Sequence, residues 1–379
     1  MTNSVPEAKK KTPSLMSKLL TLLLVSVSMF LVAEVVVRTL YKDTTHLFPR
    51  YHTKTQYGDY TLRRIRPNME FTHTSIDGEW LFTTNAQGFR NLEDFEYDKP
   101  QGFMRVVSIG DSHTQGYEVA QDYTYSSVLE RHLNSNGLKA QVLNTGVSGF
   151  GNAEQLLLLE NELVKYEPDY VVLGFSFNDF EDNVKVGFFE INESGELVRT
   201  EKREHAPGVG VQDLIYSIPG IQFLSENSYF YSLLFNTVWE FAKNQLIQQG
   251  VEATTDFAVA LDTDYSTYEI RLAELLVQRI HQVANENGAR LILMDIASMT
   301  PEGEPIPTIF GEFREAVVES SDFYLGSEIL DDYKFAARVH APNGLRHISE
   351  FAHTMYGVEL GRIIMQAEGL RPADISSAH

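Results

Sequence analysis

Ser112 follows the apolar run Arg105–Ile109, and Gly110 and Asp111 break that run just before it. A hydroxyl at the carboxyl end of a buried parallel strand lies where open α/β sheets bind their ligands. It also lies close to the first N–H groups of the next segment, which favour developing negative charge. The pattern predicts Ser112 as a nucleophile, with Asp111 holding the turn by accepting backbone N–H bonds.

Two later segments supply donors for an oxyanion. Gly149 closes the stretch Asn144–Gly149, and Asn178 follows a third apolar run. Glycine allows a close approach of the backbone to a substrate, and the asparagine amide donates without carrying a charge. We expect the N–H groups of Ser112 and Gly149 and the Asn178 side chain to form an oxyanion hole. Each such donor is worth roughly 2.7–4 kcal/mol in the transition state.

Alternating strand and helix patterns position these residues. Apolar runs predict strands at Arg105–Ile109, Ala140–Leu143, Tyr170–Phe175 and Arg290–Met294, and helical spacing predicts helices at Gln155–Tyr166, Ile270–Asn285 and Glu350–Ala367. Such alternation is typical of a parallel sheet covered by helices on both faces. The three polar segments then meet at one edge of that sheet.

The segments also resemble the conserved blocks of a known family, the SGNH (GDSL) hydrolases. The resemblance rests on Gly110–Gly116, Asn144–Gly149 and Phe177–Asp179, and it extends over roughly Thr84 to Ile364. The stretch Thr84–Asn91, between an apolar amino-terminal run and the serine strand, is similar to membrane-anchored members. The resemblance implies a flavodoxin-like three-layer α/β/α fold with a parallel sheet. It also implies serine-dependent hydrolysis or transfer of acyl groups.

The base is assigned from the fourth block of that family, Asp-x-x-His. His347 matches best, but Gly344 occupies the position of the aspartate. An alternative register makes His353 the base, with Glu350 three residues earlier. With His347 as the base, the orienting group is one of three residues, or else a backbone carbonyl holds the ring. The three residues are Asp331, Asp332 and Asn343.

The amino terminus predicts a membrane helix. Four lysines, Lys9, Lys10, Lys11 and Lys18, precede an apolar run over Leu19–Ala33, which continues after Glu34 and is closed by Arg38. Such a run just spans a bilayer, and the lysines place its start in the cytoplasm. We therefore expect an uncleaved signal anchor with the rest of the chain extracytoplasmic. A cleaved signal peptide and a buried soluble helix are the alternatives.

Composition excludes several function classes. Among 379 residues, 52 acids against 31 bases give a formal charge of −21, which argues against a nucleic-acid partner. The chain has no cysteine, so disulfides, thiolate catalysis and thiolate zinc sites are excluded. Histidines such as His46, His52, His73 and His132 show no ligand spacing. The sequence therefore predicts no cofactor and no catalytic metal.

The predicted organisation has four parts. Residues 1–38 form the lysine cluster and anchor, residues 39–100 a juxtamembrane region with short strands, residues 101–367 the hydrolase domain and residues 368–379 a tail. An insertion at about 180–265 contains a predicted hairpin, Phe188–Val198, and an aromatic-rich helix, Phe223–Ala242. It is either a lid over the site or a packed accessory subdomain.

These inferences predict a membrane-anchored extracytoplasmic serine hydrolase. Its substrate would be an acyl ester at the cell envelope, on a glycan or a lipid. Two alternatives remain open at this point. One is an O-acyltransferase that passes the acyl group to a sugar hydroxyl, and the other is a degenerate SGNH fold that only binds.

Overall fold

The computed structural model describes residues 14–204, 208–248, 265–300, 304–333, 336–343 and 347–370. Outside the described residues lie Lys9, Lys10 and Lys11 of the lysine cluster, Gly344, and residues 371–379 of the tail.

The strands are β1 (His52–Tyr57), β2 (Tyr60–Ile65), β3 (Glu70–Ser75), β4 (Gly78–Thr83), β5 (Met104–Ile109), β6 (Ala140–Asn144), β7 (Tyr170–Phe175), β8 (Phe189–Ile191), β9 (Leu197–Arg199), β10 (Arg290–Asp295), β11 (Ser298–Met299), β12 (Pro305–Ile306) and β13 (Phe323–Leu325).

The α-helices alternate with these strands. They are α1 (Leu15–Leu40), α2 (Ser112–Gln115), α3 (Tyr125–Ser135), α4 (Asn152–Asn161), α5 (Asp179–Val186), α6 (Gly208–Tyr216), α7 (Ile221–Asn227), α8 (Tyr229–Gln248), α9 (Thr267–Glu286), α10 (Gly311–Glu319) and α11 (Glu350–Ala367). Short 3₁₀ segments lie at Lys42–Thr44, Gln121–Tyr123, Leu163–Tyr166 and Ser327–Tyr333.

Five strands form one parallel sheet in the order β13-β10-β7-β5-β6. Numbered by their own sequence, these strands run 5-4-3-1-2, which is the flavodoxin-like order. The predicted fold class is thus confirmed, with the crevice of such sheets at the carboxyl ends of β5 and β7. The edge strand β13 was not predicted from the sequence, because three residues make too short a run to stand out.

Alternate residues of the strands feed two separate apolar cores. Val106 of β5 packs in the core shared with α3 and α11, while its neighbour Val107 packs with α4 and α9 on the other face. Both valines are fully buried. Because each strand is covered on both faces, it reads in the sequence as a continuous apolar run.

Two predicted helices differ from the structure. The helix predicted at Gln155–Tyr166 begins earlier, where the Glu154 carboxylate accepts the Gly151 N–H at 2.9 Å, and its α-helical part ends at Asn161. The helix predicted at Phe223–Ala242 is two helices, α7 and α8, separated by an extended Ser228. In both cases a polar contact at a helix end, which apolar spacing does not reveal, sets the boundary.

Helix α1 spans 26 residues. Its most apolar window has a mean hydropathy of 2.5, and 6% of the residues in that window are buried. Among the described residues it is the helix long and apolar enough to cross a membrane. By length and composition it is either a membrane anchor or a signal sequence.

The region between α1 and the sheet forms two antiparallel hairpins, β1–β2 and β3–β4. Their aromatic side chains build a small core that includes Tyr51, Phe71 and Phe82. In the insertion, the predicted hairpin is β8–β9, and α6 packs against β1 while α8 packs against α1. Residues 249–264 of the insertion lie outside the described residues.

Candidate active site

Ser112 and His347 are in direct contact although 235 residues separate them. The Ser112 hydroxyl lies 2.8 Å from His347 Nε2. Ser112 is the first residue of α2, directly beyond the end of β5, and His347 lies two residues before Ser349, which caps α11. A hydroxyl within hydrogen-bond distance of an imidazole is the arrangement of an activated nucleophile.

The sharp turn before Ser112 depends on two residues. A Cβ at Gly110 would overlap Thr114 Oγ1 and lie 3.1 Å from the Gly174 carbonyl oxygen, so only glycine fits there. Asp111 caps α2, since its carboxylate accepts the His113 N–H at 2.8 Å. The prediction that Asp111 holds the turn is confirmed.

Two backbone donors predicted for the oxyanion hole are free. Within the described part of the chain, the N–H groups of Ser112 and Gly149 donate no hydrogen bond. Gly149 has φ +75°, a conformation that favours glycine. Both residues remain partly exposed, whereas neighbours such as Asp111 are buried. These N–H groups are therefore available to a bound ligand.

Asn178 joins the same site through a polar network. Ser176 Oγ lies 2.7 Å from Asp111 Oδ2 and 2.9 Å from Asn178 Oδ1. The Asn178 amide also donates to Asp182 at 2.9 Å, so one of its two N–H groups is engaged. The Asn178 side chain also acts on the Asp111 carboxyl and lowers its pKa. Ser176 was not predicted as a site residue, although its place at the end of β7 offered a signal.

Burial dominates the electrostatics of these acids. It raises the pKa of Asp111, which the hydroxyl of Ser176 partly offsets, and it raises the pKa of Asp179 well above its usual range. Burial also raises the pKa of Asp182 to about 7. Asp179 accepts the Ser176 N–H at 2.8 Å, so it braces the loop after β7.

His347 is held by aromatic neighbours. Its ring centre lies 4.8 Å from the ring of His113 and 4.7 Å from the ring of Tyr117. Its Nδ1 atom is buried and has no hydrogen-bond partner among the described residues. Burial, and secondarily the nearby His113, lowers the pKa of His347 to about 3, although Asp111 acts in the opposite direction. His347 is therefore neutral, with its Nε2 side turned to Ser112.

None of the three side chains proposed to orient His347 does so in the structure. The side chain and backbone of Asn343 both donate to Asp77, each at 2.9 Å. Asp331 and Asp332 are exposed on a 3₁₀ segment. Asn343 is thus excluded by its contact with Asp77, and Asp331 and Asp332 by their exposure, so His347 has no described carboxylate partner.

The alternative register, with His353 as base, is not supported by the geometry. His353 is fully buried on α11, and its Nδ1 accepts the Tyr125 N–H at 3.1 Å. Glu350, its proposed partner, accepts the Ala120 N–H at 2.8 Å instead. His353 connects α11 to α3 and does not contact Ser112.

Arg90 is a positioning residue that the sequence reasoning did not single out. Arg90 is 1% exposed, and its guanidinium donates to the carbonyls of Gln115, Gly116 and Val119, which follow Ser112. Burial lowers the pKa of Arg90 to about 9. The motif Thr84–Asn91, noted only as a resemblance, thus braces the turn behind Ser112.

The low pKa of His347 predicts an unusual pH profile. A base with a depressed pKa keeps its free electron pair as the pH falls, so kcat/KM should stay level from pH 8 to about pH 5. A pH profile on a soluble ester measures this directly. A decline with a midpoint near 6.5, the ordinary value for histidine, would contradict the buried, neutral environment described here.

The family model of the GDSL-like lipase/acylhydrolase family matches residues 108–311 of this chain. The match covers more than half of the sequence. It includes Ser112, Gly149 and Asn178, and it ends before His347.

Several solved structures resemble the chain at low identity. The psychrotrophic esterase EstA from Pseudoalteromonas sp. is 12% identical and has a TM-score of 0.36, covering 70% of this chain and 98% of its own. A catalytic mutant of an acetylxylan esterase from Geobacillus stearothermophilus is 12% identical with a TM-score of 0.37, and the match covers 72% of this chain and 98% of the esterase. A Clostridium thermocellum family 3 carbohydrate esterase is 13% identical with a TM-score of 0.35, and the match covers 69% of this chain and 98% of that esterase. No curated protein matches the sequence.

Proposed function

We propose that this chain, which belongs to the GDSL-like lipase/acylhydrolase family and is an ester-cleaving serine hydrolase, works with Ser112 as nucleophile and His347 as base. The observation that carries this proposal is the 2.8 Å contact between Ser112 Oγ and His347 Nε2. The free N–H groups beside Ser112 support it, because an ester needs donors where its carbonyl oxygen becomes negative.

The reaction follows from these positions. Ser112 Oγ attacks the ester carbonyl carbon while its proton passes to His347 Nε2. The carbonyl oxygen, now negative, is held by the N–H groups of Ser112 and Gly149 and by the Asn178 amide. The intermediate collapses, and the alcohol leaves with the proton from His347. Water, deprotonated by His347, then attacks the acyl-serine and releases the acid.

The lack of a described carboxylate on Nδ1 sets the expected rate. The imidazolium formed during attack receives its electrostatic support from Asp111, while His113 acts against the charge and the ring of Tyr117 packs on His347. Loss of an orienting carboxylate slows a serine triad by up to about 10⁴. We therefore propose a slow hydrolase whose histidine is positioned by ring packing.

Contacts between α1 and the insertion support a retained membrane anchor. The Glu34 carboxylate accepts from the Ser228 hydroxyl at 2.7 Å and from the Phe230 N–H at 2.9 Å, at the amino end of α8. Arg38 donates to the Asn227 carbonyl at 2.7 Å, and Phe30 packs on Phe230 with ring centres 5.5 Å apart. Removal of α1 would take away the carboxylate that accepts the Phe230 N–H at the start of α8, so we propose that α1 remains and that the catalytic domain is extracytoplasmic.

The mass of the protein extracted from membranes tests this proposal. We expect the mature chain to retain residues 15–40, because the insertion docks on them. A mature mass that lacks the segment through Ala33 would show a cleaved signal instead.

At that location, the proposed substrates are acyl esters of envelope glycans or lipids. Hydrolysis of p-nitrophenyl acetate by the full chain in detergent, with Ser112→Ala as control, tests the reaction class. Added oligosaccharide acceptor distinguishes the outcomes: free acid as the main product supports the hydrolase, and acylated sugar as the main product supports an acyltransferase. No turnover above the Ser112→Ala control on these esters or on acetylated glycans would contradict the proposal.

A further inference from the structure

A second cluster of reactive side chains lies beside the catalytic pair. It consists of His46, His73 and Glu118, and one ligand atom from each lies within 4.8 Å of the other two. The residues are 27 and 45 positions apart in the chain, which is why local spacing did not reveal them. The fold brings them together from three separate segments.

Backbone pairing and a strained turn create the cluster. Leu47 and Thr74 form an antiparallel bridge, with N–H···O distances of 2.8 and 2.9 Å in the two directions, and the flanking residues His46 and His73 are diagonal neighbours with ring centres 6.4 Å apart. Glu118 has φ +58°, a left-handed conformation that is unfavourable for a non-glycine residue. Arg90 holds the backbone on both sides of Glu118, and a carboxylate oxygen of Glu118 lies within 4.8 Å of a ring nitrogen of each histidine.

The atoms in this cluster lack the partners that buried polar groups require. The Glu118 side chain has 0% exposure, and neither of its oxygens makes a well-formed hydrogen bond to a described residue, although the Ser75 side chain is near enough to lower the pKa of the carboxyl. His73 Nε2 is likewise buried without a partner and lies 3.9 Å from Glu118 Oε1. A buried carboxylate left unpaired is costly, so such a group indicates a missing ligand or a retained proton.

We propose that His46, His73 and Glu118 bind a divalent transition-metal ion of the zinc type. Two imidazoles and one carboxylate form a recognised ligand set for zinc and for related ions. A metal with bonds of about 2.0–2.2 Å requires the ligand atoms to draw together by roughly 1 Å each. A second carboxylate, Asp77, adds negative charge that acts on both His46 and Glu118. This inference departs from the sequence-based prediction of no metal.

The position of the ion would link it to the base. Tyr117, adjacent to Glu118 in sequence, has its ring 4.6 Å from the His73 ring and 4.7 Å from the His347 ring. A metal on Glu118 and His73 would therefore hold the aromatic ring that packs on His347. The ion acts as a positioning element, and Ser112 remains the nucleophile. The inference does not depend on the proposed reaction.

Metal titration of the full chain tests the proposal. After chelator treatment, calorimetry with Zn²⁺ should show one site per chain, and Co²⁺ should give a visible absorption band. The variants His73→Asn and Glu118→Gln should weaken Zn²⁺ affinity by at least about 100-fold. The variant His132→Asn is the matched control, since His132 lies on α3 away from the cluster, and Ser112→Ala should bind like the wild type.

A loss of Zn²⁺ affinity in these variants must be separated from a loss of folding. His46→Gln changes the only half-buried member of the cluster and should lose Zn²⁺ affinity while the fold is retained. In the wild type, saturating Zn²⁺ should raise Tm by on the order of 5 °C. An absence of stoichiometric binding, or binding that His46→Gln leaves unchanged, would overturn the proposal. Glu118 would then be a buried carboxyl that keeps its proton and binds no metal, since burial raises its pKa to about 7.

Discussion

Replacing Ser112 by alanine should lower kcat on esters by on the order of 10²-fold or more. A complete serine triad contributes about 10⁶ to kcat, of which the orienting acid accounts for about 10⁴. Since His347 lacks a described carboxylate partner, we expect the loss of kcat to be only the part that does not depend on the orienting acid, which is on the order of 10². His347→Ala should have the same effect, and the double variant should lose no more, because the two residues act as one unit.

Steady-state kinetics of the three variants, each checked for folding by thermal unfolding, measures this effect. His353→Gln serves as the matched control, because His353 bridges α3 and α11 without touching Ser112. It should lower Tm while leaving kcat within a few-fold of the wild type. A large loss of kcat in His353→Gln, with His347→Ala active, would contradict the assignment of the base.

Supplying the missing acid should accelerate the enzyme. Gly344 occupies the position three residues before His347, where the SGNH pattern has aspartate. Gly344→Asp should raise kcat by about 10²-fold and up to about 10⁴-fold, because a carboxylate on Nδ1 orients the ring and stabilises its protonated form. The same carboxylate raises the pKa of His347, so the acid limb of the pH profile should move toward higher pH.

The neutral variant Gly344→Asn separates charge from side-chain size. It should neither accelerate the reaction nor shift the pH profile. Equal kinetics for Gly344→Asp, Gly344→Asn and the wild type would show that His347 Nδ1 is already oriented by another group.

The strands and the position of Ser112 at a strand end were predictable from the sequence because they depend on local patterns. Val171 and Leu173 belong to a continuous apolar run that only a doubly covered strand explains, and Tyr170–Phe175 has the predicted bounds. Helix α11, Glu350–Ala367, also has its predicted bounds, since the Ser349 side chain caps it. Ser112 followed from the break in the pattern at Gly110.

Long-range contacts were not predictable in this way. Arg90 contacts carbonyls about 26–29 residues later in the chain, and Glu34 reaches Ser228 across 194 residues. The pairing of His73 with Glu118 depends on the Leu47–Thr74 bridge and on a left-handed turn. Side-chain to backbone contacts of this kind leave no periodic signal, so spacing alone missed them.

The proposed mechanism requires Ser112 to form a covalent acyl-enzyme with help from His347. Mass spectrometry of peptides from the full chain after reaction with a fluorophosphonate tests this step. We expect one adduct on the peptide containing Ser112, with labelling strongly slowed in His347→Ala and retained in His353→Gln. An unlabelled Ser112 in folded protein, or an adduct on another residue, would contradict it.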